Sequence, residues 1–409
     1  MGWCGTAKDY QRIADEMREY YPRFSDAEYK RRYDATYALM DENGLDCLLL
    51  YGDGTLGGLH QLSAHWLSNY LDEQFSYVIL PREGDPILYV SIPPDAACAM
   101  ATSPIDDVRG GGVGIQMAQA VAAGLKEKAS SAKRIGTIDN FAVSPGLPHA
   151  HHEAFSAALP GAEFVPTARE YERLRLVPSD EEMEWFKKGI ALTDLAWEAL
   201  VDAAEPGKTE ADLLHVVHSS YMKEGGSYCF AILGSTPMSD PAMSYPHGIT
   251  AQPALRPVAA GDMVICEMSA SYYGYSGQLF CAIGLGEPPD PLQEMIDLTA
   301  QLYVDLRAAA KAGNTGADID AVTKPVADRG LDCEAPFIHA WGTHFGHPTM
   351  GFESWTPWDV EFVDGQLLVV EPNPCSPDAL LGVQLGNMTQ VTKDGAIEIH
   401  EHGTEFVVK

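Results

Sequence analysis

Basic residues are scarce in this chain of 409 residues, which carries 27 lysines and arginines against 58 aspartates and glutamates. The resulting net charge of -31 repels phosphate backbones and anionic lipid surfaces, so we expect neither nucleic acid nor membranes as partners. The sequence also lacks a run of about 18 apolar residues and an N-terminal signal sequence. We therefore expect a cytoplasmic protein.

Closely spaced cysteine pairs and nucleotide-binding glycine motifs are absent as well. The eight cysteines are scattered singly without a CxxC pair, so we expect reduced thiols. Gly110, Gly111 and Gly112 do not fit a GxGxxG motif, and no Lys-Ser or Lys-Thr follows them, which favours a turn over a phosphate-binding loop. The HAHH cluster at residues 149–152 lies among prolines and glycines, and we interpret it as a solvated loop.

The chain is too long for one ordinary hydrophobic core, so two domains are expected. Short apolar runs in its first part predict a small α/β domain. These runs are Leu45–Tyr51, Phe75–Leu80 and Pro86–Val90. The pattern changes near residues 176–180, where Ser179 and Glu182 predict the capped start of a long amphipathic helix. The predicted domains are residues 1–172 and 173–409.

Residues 261–286 predict a hairpin of two buried strands with an aromatic turn that contains Tyr273 and Tyr275. The two apolar runs converge on two polar side chains that point inward, Glu267 in the first run and Gln278 directly before the second. A carboxylate buried in this way is costly unless it has a partner or a function. The hairpin is therefore the first candidate for a functional site.

The remainder of the chain predicts two further helices followed by strands that end in polar residues. The segment PFIHAWGTHFGHP contains His339, and the apolar strand Gln366–Val370 ends at Glu371. This succession comes after an earlier helix pair and hairpin. It predicts an α+β arrangement with a hint of internal duplication.

Four segments in this order and spacing resemble the creatinase, aminopeptidase P and prolidase superfamily. They are SYPHG with the following GDMVICEMSA, then GYSGQLFCAIGLG, HAWGTHFG, and LVVEPN with the following LGNMTQVTKDG. The resemblance covers the whole chain. It implies a pita-bread C-terminal catalytic domain and a smaller α/β N-terminal domain.

Metallopeptidases of this superfamily bind two metal ions through two aspartates, a histidine and two glutamates. The resemblance places these positions on Glu267, Gln278, Thr343, Glu371 and Gly386. A slip of one residue would place His344 at the histidine position, and His339 is retained as the leading histidine. Because Gln278 is neutral and Gly386 has no side chain, too little negative charge remains for a dinuclear centre. We therefore expect no metal and no other cofactor.

The departures from the metal-binding set resemble the metal-free branch that includes creatinase and the ectoine hydrolases. This resemblance implies metal-independent hydrolysis of a C–N bond in a small non-peptide nitrogen compound, such as an amidine, a guanidino compound or an N-acyl diamino acid. It assigns His247 as general acid and base, and Glu267 and Glu371 as nucleophile or substrate-orienting carboxylates. The candidate substrate-binding residues are Gln278, His339, Thr343, His344, His347, Tyr273, Tyr275 and Trp341. A substrate with a cationic nitrogen is expected, because two nearby carboxylates repel each other without a cation.

Two other interpretations stay open. A reduced metal site that uses His344 or His347 would give an Xaa-Pro aminopeptidase or prolidase-like metallopeptidase, or a lyase acting on a small organic acid. A catalytically inactive pita-bread protein would only bind partners. The resemblance also implies a homodimer in which His60, Trp66 or Phe75 closes the pocket of the neighbouring subunit.

Overall fold

The computed structural model describes residues 7–54, 59–92, 94–139, 146–246, 254–342, 346–351 and 361–409. The chain divides into two compact units, Met1–Arg175 and Leu176–Lys409. The α+β class and the two-domain organisation are confirmed. In the described part of the chain, no helix combines the length and the apolar character needed to cross a bilayer. The seven cysteines among the described residues are free thiols.

The described residues of the N-terminal unit form a mixed sheet with helices around it. Its strands are β1 (Cys47–Asp53), β2 (Phe75–Pro81), β3 (Ile87–Val90), β4 (Asp107–Gly110), β5 (Arg134–Ile138) and β6 (Glu163–Pro166). Its helices are α1 (Ala7–Met17), α2 (Asp26–Asn43), α3 (Leu62–Ser68), α4 (Asp95–Thr102), α5 (Ile115–Ala129), α6 (His149–Ala158) and α7 (Ala168–Arg173), with short 3-10 turns at Arg18–Tyr20 and Leu59–Gln61. The strand order is β4-β3-β2-β1-β5-β6.

Alternation along the strands explains why this sheet is covered on both faces. Leu48 and Leu50 belong to one hydrophobic core, whereas Cys47 and Leu49 belong to another. Successive side chains of a strand point to opposite faces, so an uninterrupted apolar run supplies two cores. The small α/β domain that these runs predict is therefore present.

One expectation for the N-terminal unit is wrong, and Trp66 drops out of a second, for which His60 and Phe75 stay predictions. The HAHH segment is not a loop but the first turn of α6, where the buried His151 ring contacts the Tyr77 hydroxyl through Nδ1 at 2.7 Å. The contact with the buried Tyr77 thus stabilises as a helix a segment whose composition predicts a solvated loop. Trp66 is 1% exposed and packs edge-on against Tyr171, so its ring belongs to the core of this unit instead of closing a neighbouring pocket.

The C-terminal unit combines paired helices with a large sheet. Its helices are α8 (Asp180–Ala203), α9 (Glu210–Met222), α10 (Asp290–Ala309) and α11 (Gly316–Ala327). Its strands are β7 (Ser227–Pro237), β8 (Asp262–Tyr272), β9 (Tyr275–Ser276), β10 (Leu279–Gly284), β11 (Asp332–Cys333), β12 (Ile338–Ala340), β13 (Gly346–Met350), β14 (Leu367–Val370), β15 (Pro374–Cys375), β16 (Gly386–Thr392), β17 (Gly395–Glu398) and β18 (Phe406–Val408).

Two helix pairs cover two halves of this sheet. The strand order among the described residues is β13-β12-β14-β16-β10-β8-β7, with β17, β18 and β9 at the sides. Helices α8 and α9 pack on β7, β8 and β10, and helices α10 and α11 pack on β12, β14 and β16. Each half of the sheet is thus covered by its own helix pair, and the internal duplication at which the sequence hints stays a prediction.

The long helix α8 begins where the sequence predicts it. The Ser179 hydroxyl accepts from the Glu182 backbone N–H at 3.2 Å, and Glu182 accepts from the Ser179 N–H, which completes a capping box. Further along, Gly189 lets the helix approach the hairpin closely, because a Cβ there would lie 2.2 Å from the Tyr275 carbonyl oxygen. This contact fixes the position of the hairpin against α8.

Candidate functional site

Several predicted site residues lie outside the described part of the chain. These are His247, Thr343 and His344. His347 lies in β13, and only its backbone is described. The structure does describe Glu267, Gln278, His339 and Glu371, and it gives each of them a defined set of partners.

Glu267 lies in the middle of β8 and is 7% exposed. The Tyr245 hydroxyl donates to its Oε2, and the Gln278 amide donates from Nε2 to its Oε1 at 2.9 Å. Each oxygen of this buried carboxylate therefore accepts a hydrogen bond. The expectation that Glu267 and Gln278 come together across the hairpin is fulfilled by a direct contact.

Glu371 directly follows β14 and is 2% exposed. Its Oε1 lies 2.9 Å from His339 Nε2, and Gln384 donates from Nε2 to its Oε2 at 2.7 Å. The other ring nitrogen of His339 contacts the Ala340 carbonyl oxygen at 2.9 Å, and because a carbonyl only accepts, Nδ1 carries a proton. His339 Nε2 and Glu371 Oε1 therefore share a second proton.

The two glutamates influence each other and the histidine. Burial and the charge of Glu371 raise the pKa of Glu267, against the opposing effect of its hydrogen bonds. Burial also raises the pKa of Glu371, which His339 and Gln384 partly offset. Burial disfavours the charged form of His339, but the Glu371 carboxylate outweighs it and raises the pKa of the imidazole. The cluster thus holds protons that exchange closer to neutral pH than isolated carboxyls allow.

The backbone at Gln278 is held from outside the hairpin. The pairing of β8 with the returning chain is interrupted between Ser276 and Leu279. There the Gln278 N–H donates to His400 Nε2 at 3.3 Å, and His400 Nδ1 contacts Asp194 Oδ1 at 2.8 Å. The His400 ring can approach because residue 277 is glycine. A Cβ added at this position would lie 2.6 Å from the ring.

The aromatic residues predicted to bind substrate have different surroundings. Tyr275 is buried, its ring packs against Trp185 and Phe186, and its hydroxyl donates to Glu182 at 3.2 Å. The Tyr273 ring contacts the same Trp185. The structure thus places both tyrosines in an aromatic cluster against α8, since their rings fill the space beside this helix.

Trp341 lies in a different place, next to the carboxyl cluster. Its ring packs edge-on against the His339 imidazole, with centroids 5.8 Å apart. Trp341 therefore lies beside His339, whose Nε2 contacts Glu371.

Sequence reasoning missed two residues of the cluster, Tyr245 and Gln384. Tyr245 lies in the SYPHG segment, so its neighbourhood was recognised but its hydroxyl was not. Gln384 lies between the buried residues Val383 and Leu385. An isolated amide inside an apolar run needs a buried partner, and this signal could have identified it.

A two-ion metal centre does not fit the described residues. Among them, no three histidine, cysteine, aspartate or glutamate side chains come together as a metal site. The backbone at Gly386 lies so close to β14 that a Cβ would be 2.1 Å from the Val370 carbonyl oxygen and 2.8 Å from Glu371 Cα. Two divalent ions would face two carboxylates whose oxygens already accept hydrogen bonds. We therefore derive no chemical step from a two-ion centre.

Comparisons with known proteins identify both domains. Residues 184–393 match the model of metallopeptidase family M24, and residues 32–177 match the creatinase/prolidase N-terminal domain. A peptidase of Bacillus subtilis is 25% identical over 288 residues, which cover 68% of this chain and 75% of that protein. An Xaa-Pro dipeptidase of Lactobacillus delbrueckii is 24% identical, covering 64% of this chain and 71% of that protein.

A solved structure shares the fold. The Xaa-Pro dipeptidase from Bacillus anthracis superimposes with a TM-score of 0.73 at 22% identity, covering 93% of this chain and all of that one.

These comparisons correct the function expected from the sequence. A metal-independent hydrolase of non-peptide compounds, related to creatinase, is wrong, because the similar proteins are peptidases and Xaa-Pro dipeptidases. The residue types at the ligand positions do not identify the bond that the site breaks. The metallopeptidase-like alternative agrees better with these relatives. With a family model matching residues 184–393 of its sequence, this chain belongs to metallopeptidase family M24.

Proposed function

We propose that this protein is a hydrolase that cleaves the amide bond of Xaa-Pro dipeptides or of comparably short peptides. The observation that carries the proposal is the similarity to Xaa-Pro dipeptidases over about two thirds of the chain. The buried cluster of Glu267, His339 and Glu371 supports it, because amide hydrolysis needs groups that accept and donate protons. The expected cationic nitrogen of the substrate is then the amino terminus of the dipeptide.

The roles of the residues follow from their protonation. Glu267, whose pKa is raised by burial and by Glu371, accepts a proton from the attacking water. The proton shared by His339 Nε2 and Glu371 Oε1 is available for the departing nitrogen. Tyr245 and Gln278 orient the Glu267 carboxylate, since each donates to one of its oxygens.

The direct test is hydrolysis of a panel of Xaa-Pro and Xaa-Ala dipeptides, followed by chromatography of the released amino acids. We expect turnover by the wild-type protein and loss of at least about a hundredfold in Glu267→Gln, as for removal of a general base. Elemental analysis of the same preparation, purified without chelator, records any bound metal. Creatine serves as a non-peptide control and should remain intact.

A negative result is equally informative. If the folded wild-type protein hydrolyses no dipeptide, with or without added Mn²⁺, Co²⁺ or Zn²⁺, the proposal fails. The interpretation as a binding protein without activity would then replace it. The homodimer and the cytoplasmic location stay predictions, and sedimentation analysis tests the former.

A further inference from the structure

Two buried amide oxygens in the described part of the carboxyl cluster have no hydrogen-bond partner. They are Gln278 Oε1 and Gln384 Oε1, and both side chains are 1% exposed. The opposite end of each amide is engaged, because Gln278 Nε2 donates to Glu267 and Gln384 Nε2 donates to Glu371. Native proteins rarely leave buried acceptors in this state, so these atoms indicate a missing donor.

The orientation of the two amides follows from their partners. An ionised carboxylate only accepts hydrogen bonds, so each glutamine must present its NH₂ group to the glutamate. The amide oxygen of each glutamine is therefore the atom left to accept a further hydrogen bond. The backbone of Gln278 is also fixed on both sides, because its N–H donates to His400 and its carbonyl accepts from the Met388 N–H at 3.1 Å. The acceptor is thus preorganised.

The charge of the cluster specifies the kind of donor. Glu267 and Glu371 bring two negative charges when ionised, and His339, with a proton on each ring nitrogen, brings one positive charge. One negative charge is left. A group with a single positive charge, several N–H donors and no acceptor matches both this charge and the unpaired oxygens. A divalent ion would reverse the net charge.

We propose that Gln278 Oε1 and Gln384 Oε1, together with the carboxyl groups of Glu267 and Glu371, bind a primary ammonium group of the substrate. The inference rests on the proposed function in taking this group to be the amino terminus of a dipeptide. Glutamines at these two positions thus bind the cation through amide oxygens, and the carboxylates keep their hydrogen-bond donors.

The test compares two ligands that the protein cannot hydrolyse. They are the carbon isostere of Ala-Pro, in which a ring CH group replaces the proline nitrogen of the scissile amide, and its N-acetylated form, which lacks the ammonium group. Their affinities for the full-length protein are measured by isothermal titration calorimetry. We expect the free amine to bind roughly tenfold or more tightly than the acetylated ligand, as hydrogen bonds to a charged group imply.

The variants Gln278→Leu and Gln384→Leu should lose most of this preference. Gln390→Leu is the matched control, because Gln390 lies on β16 and its amide donates to the Gly365 carbonyl at 3.3 Å. This variant should retain the wild-type preference. Thermal melting establishes that each variant is folded, and the comparison of the two ligands on the wild-type protein remains decisive where a variant does not fold.

Equal affinities of the two ligands for the wild-type protein would overturn the inference, as would an unchanged preference in both glutamine variants. Stoichiometric Mn²⁺ binding that is lost in both variants and excludes the amine would also overturn it. The failure of the proposed function is distinguishable. Absent dipeptide turnover with a retained amine preference refutes only the peptidase, whereas turnover without the preference refutes only the ammonium site.

Discussion

Replacing Gly277 by alanine tests how the backbone at Gln278 is held. The added methyl group would lie 2.6 Å from His400 Cε1, 2.8 Å from His400 Nε2 and 2.8 Å from Ile190 Cα. The Ile190 atom belongs to the backbone of α8 and cannot move by itself. The His400 ring must therefore swing away, and it then no longer accepts from the Gln278 N–H or contacts Asp194.

The magnitude follows from these two consequences. Overpacking of a buried position costs about 1–3 kcal/mol, and a buried N–H without an acceptor costs about 1–3 kcal/mol more. We expect Gly277→Ala to lower the free energy of unfolding of the C-terminal unit by about 2–6 kcal/mol. Urea-induced unfolding followed by circular dichroism measures this loss. Gly161→Ala is the control, because no atom beyond its two chain neighbours lies within 4 Å of the Cβ position there.

A double-mutant cycle makes the test specific. His400→Ala alone should destabilise the protein, because it leaves Asp194 and the Gln278 N–H without their partner. In the double variant the alanine at 277 meets less crowding, so the combined loss should be smaller than the sum by about 1 kcal/mol or more. Additive losses, or wild-type stability of Gly277→Ala, would refute the reasoning.

Three further predictions concern the carboxyl cluster. Tyr245→Phe removes a hydrogen-bond donor to Glu267 and so raises the pKa of that carboxyl further, which should move the acidic limb of the pH–rate profile for dipeptide hydrolysis to higher pH. The control Tyr303→Phe removes a hydroxyl that donates to Asn387 and should leave this limb in place. The pKa of Glu267 is raised above 4.5 in the folded state, so folding takes up a proton above pH 4.5 and the stability of the wild-type protein falls as the pH rises through the raised pKa. Glu267→Gln should reduce this fall when melting temperature is measured against pH. Parallel melting-temperature curves for the two proteins would contradict the prediction. Gly386→Glu should destabilise the C-terminal unit by more than about 3 kcal/mol and should not create a metal site, because the added side chain meets the backbone of β14. Gly161→Glu is the control and should be tolerated. A stable Gly386→Glu protein that binds two metal ions would disprove the close approach of β14.

The sequence predicted those parts of the site that depend on local pattern. Glu267 and Gln278 could be brought together because strand alternation and the glycine-bounded turn define a hairpin. Glu371 could be recognised because it directly follows an apolar strand. These inferences use only the periodicity of a strand and the residues next to it.

Other contacts depend on positions that are distant in the sequence. Gln384 meets Glu371 because β16 pairs with β14, and His400 reaches Gln278 from near the end of the chain. His151 lies in a helix although the prolines and glycines around it predict a loop, because its ring contacts the buried Tyr77 hydroxyl. The substrate class was mistaken for a related reason, since the identities of a few ligand positions do not specify the bond that is broken.

The two halves of the C-terminal sheet meet at the carboxyl cluster. In the described strands, β10 and β16 are joined by the pairs Leu279 with Asn387 and Phe280 with Gly386. Glu267 comes from the first half and Glu371 from the second. A small shear of one half past the other would therefore change the separation of the two carboxyls directly. Through this short seam, the protonation of the cluster depends on how the two halves are aligned.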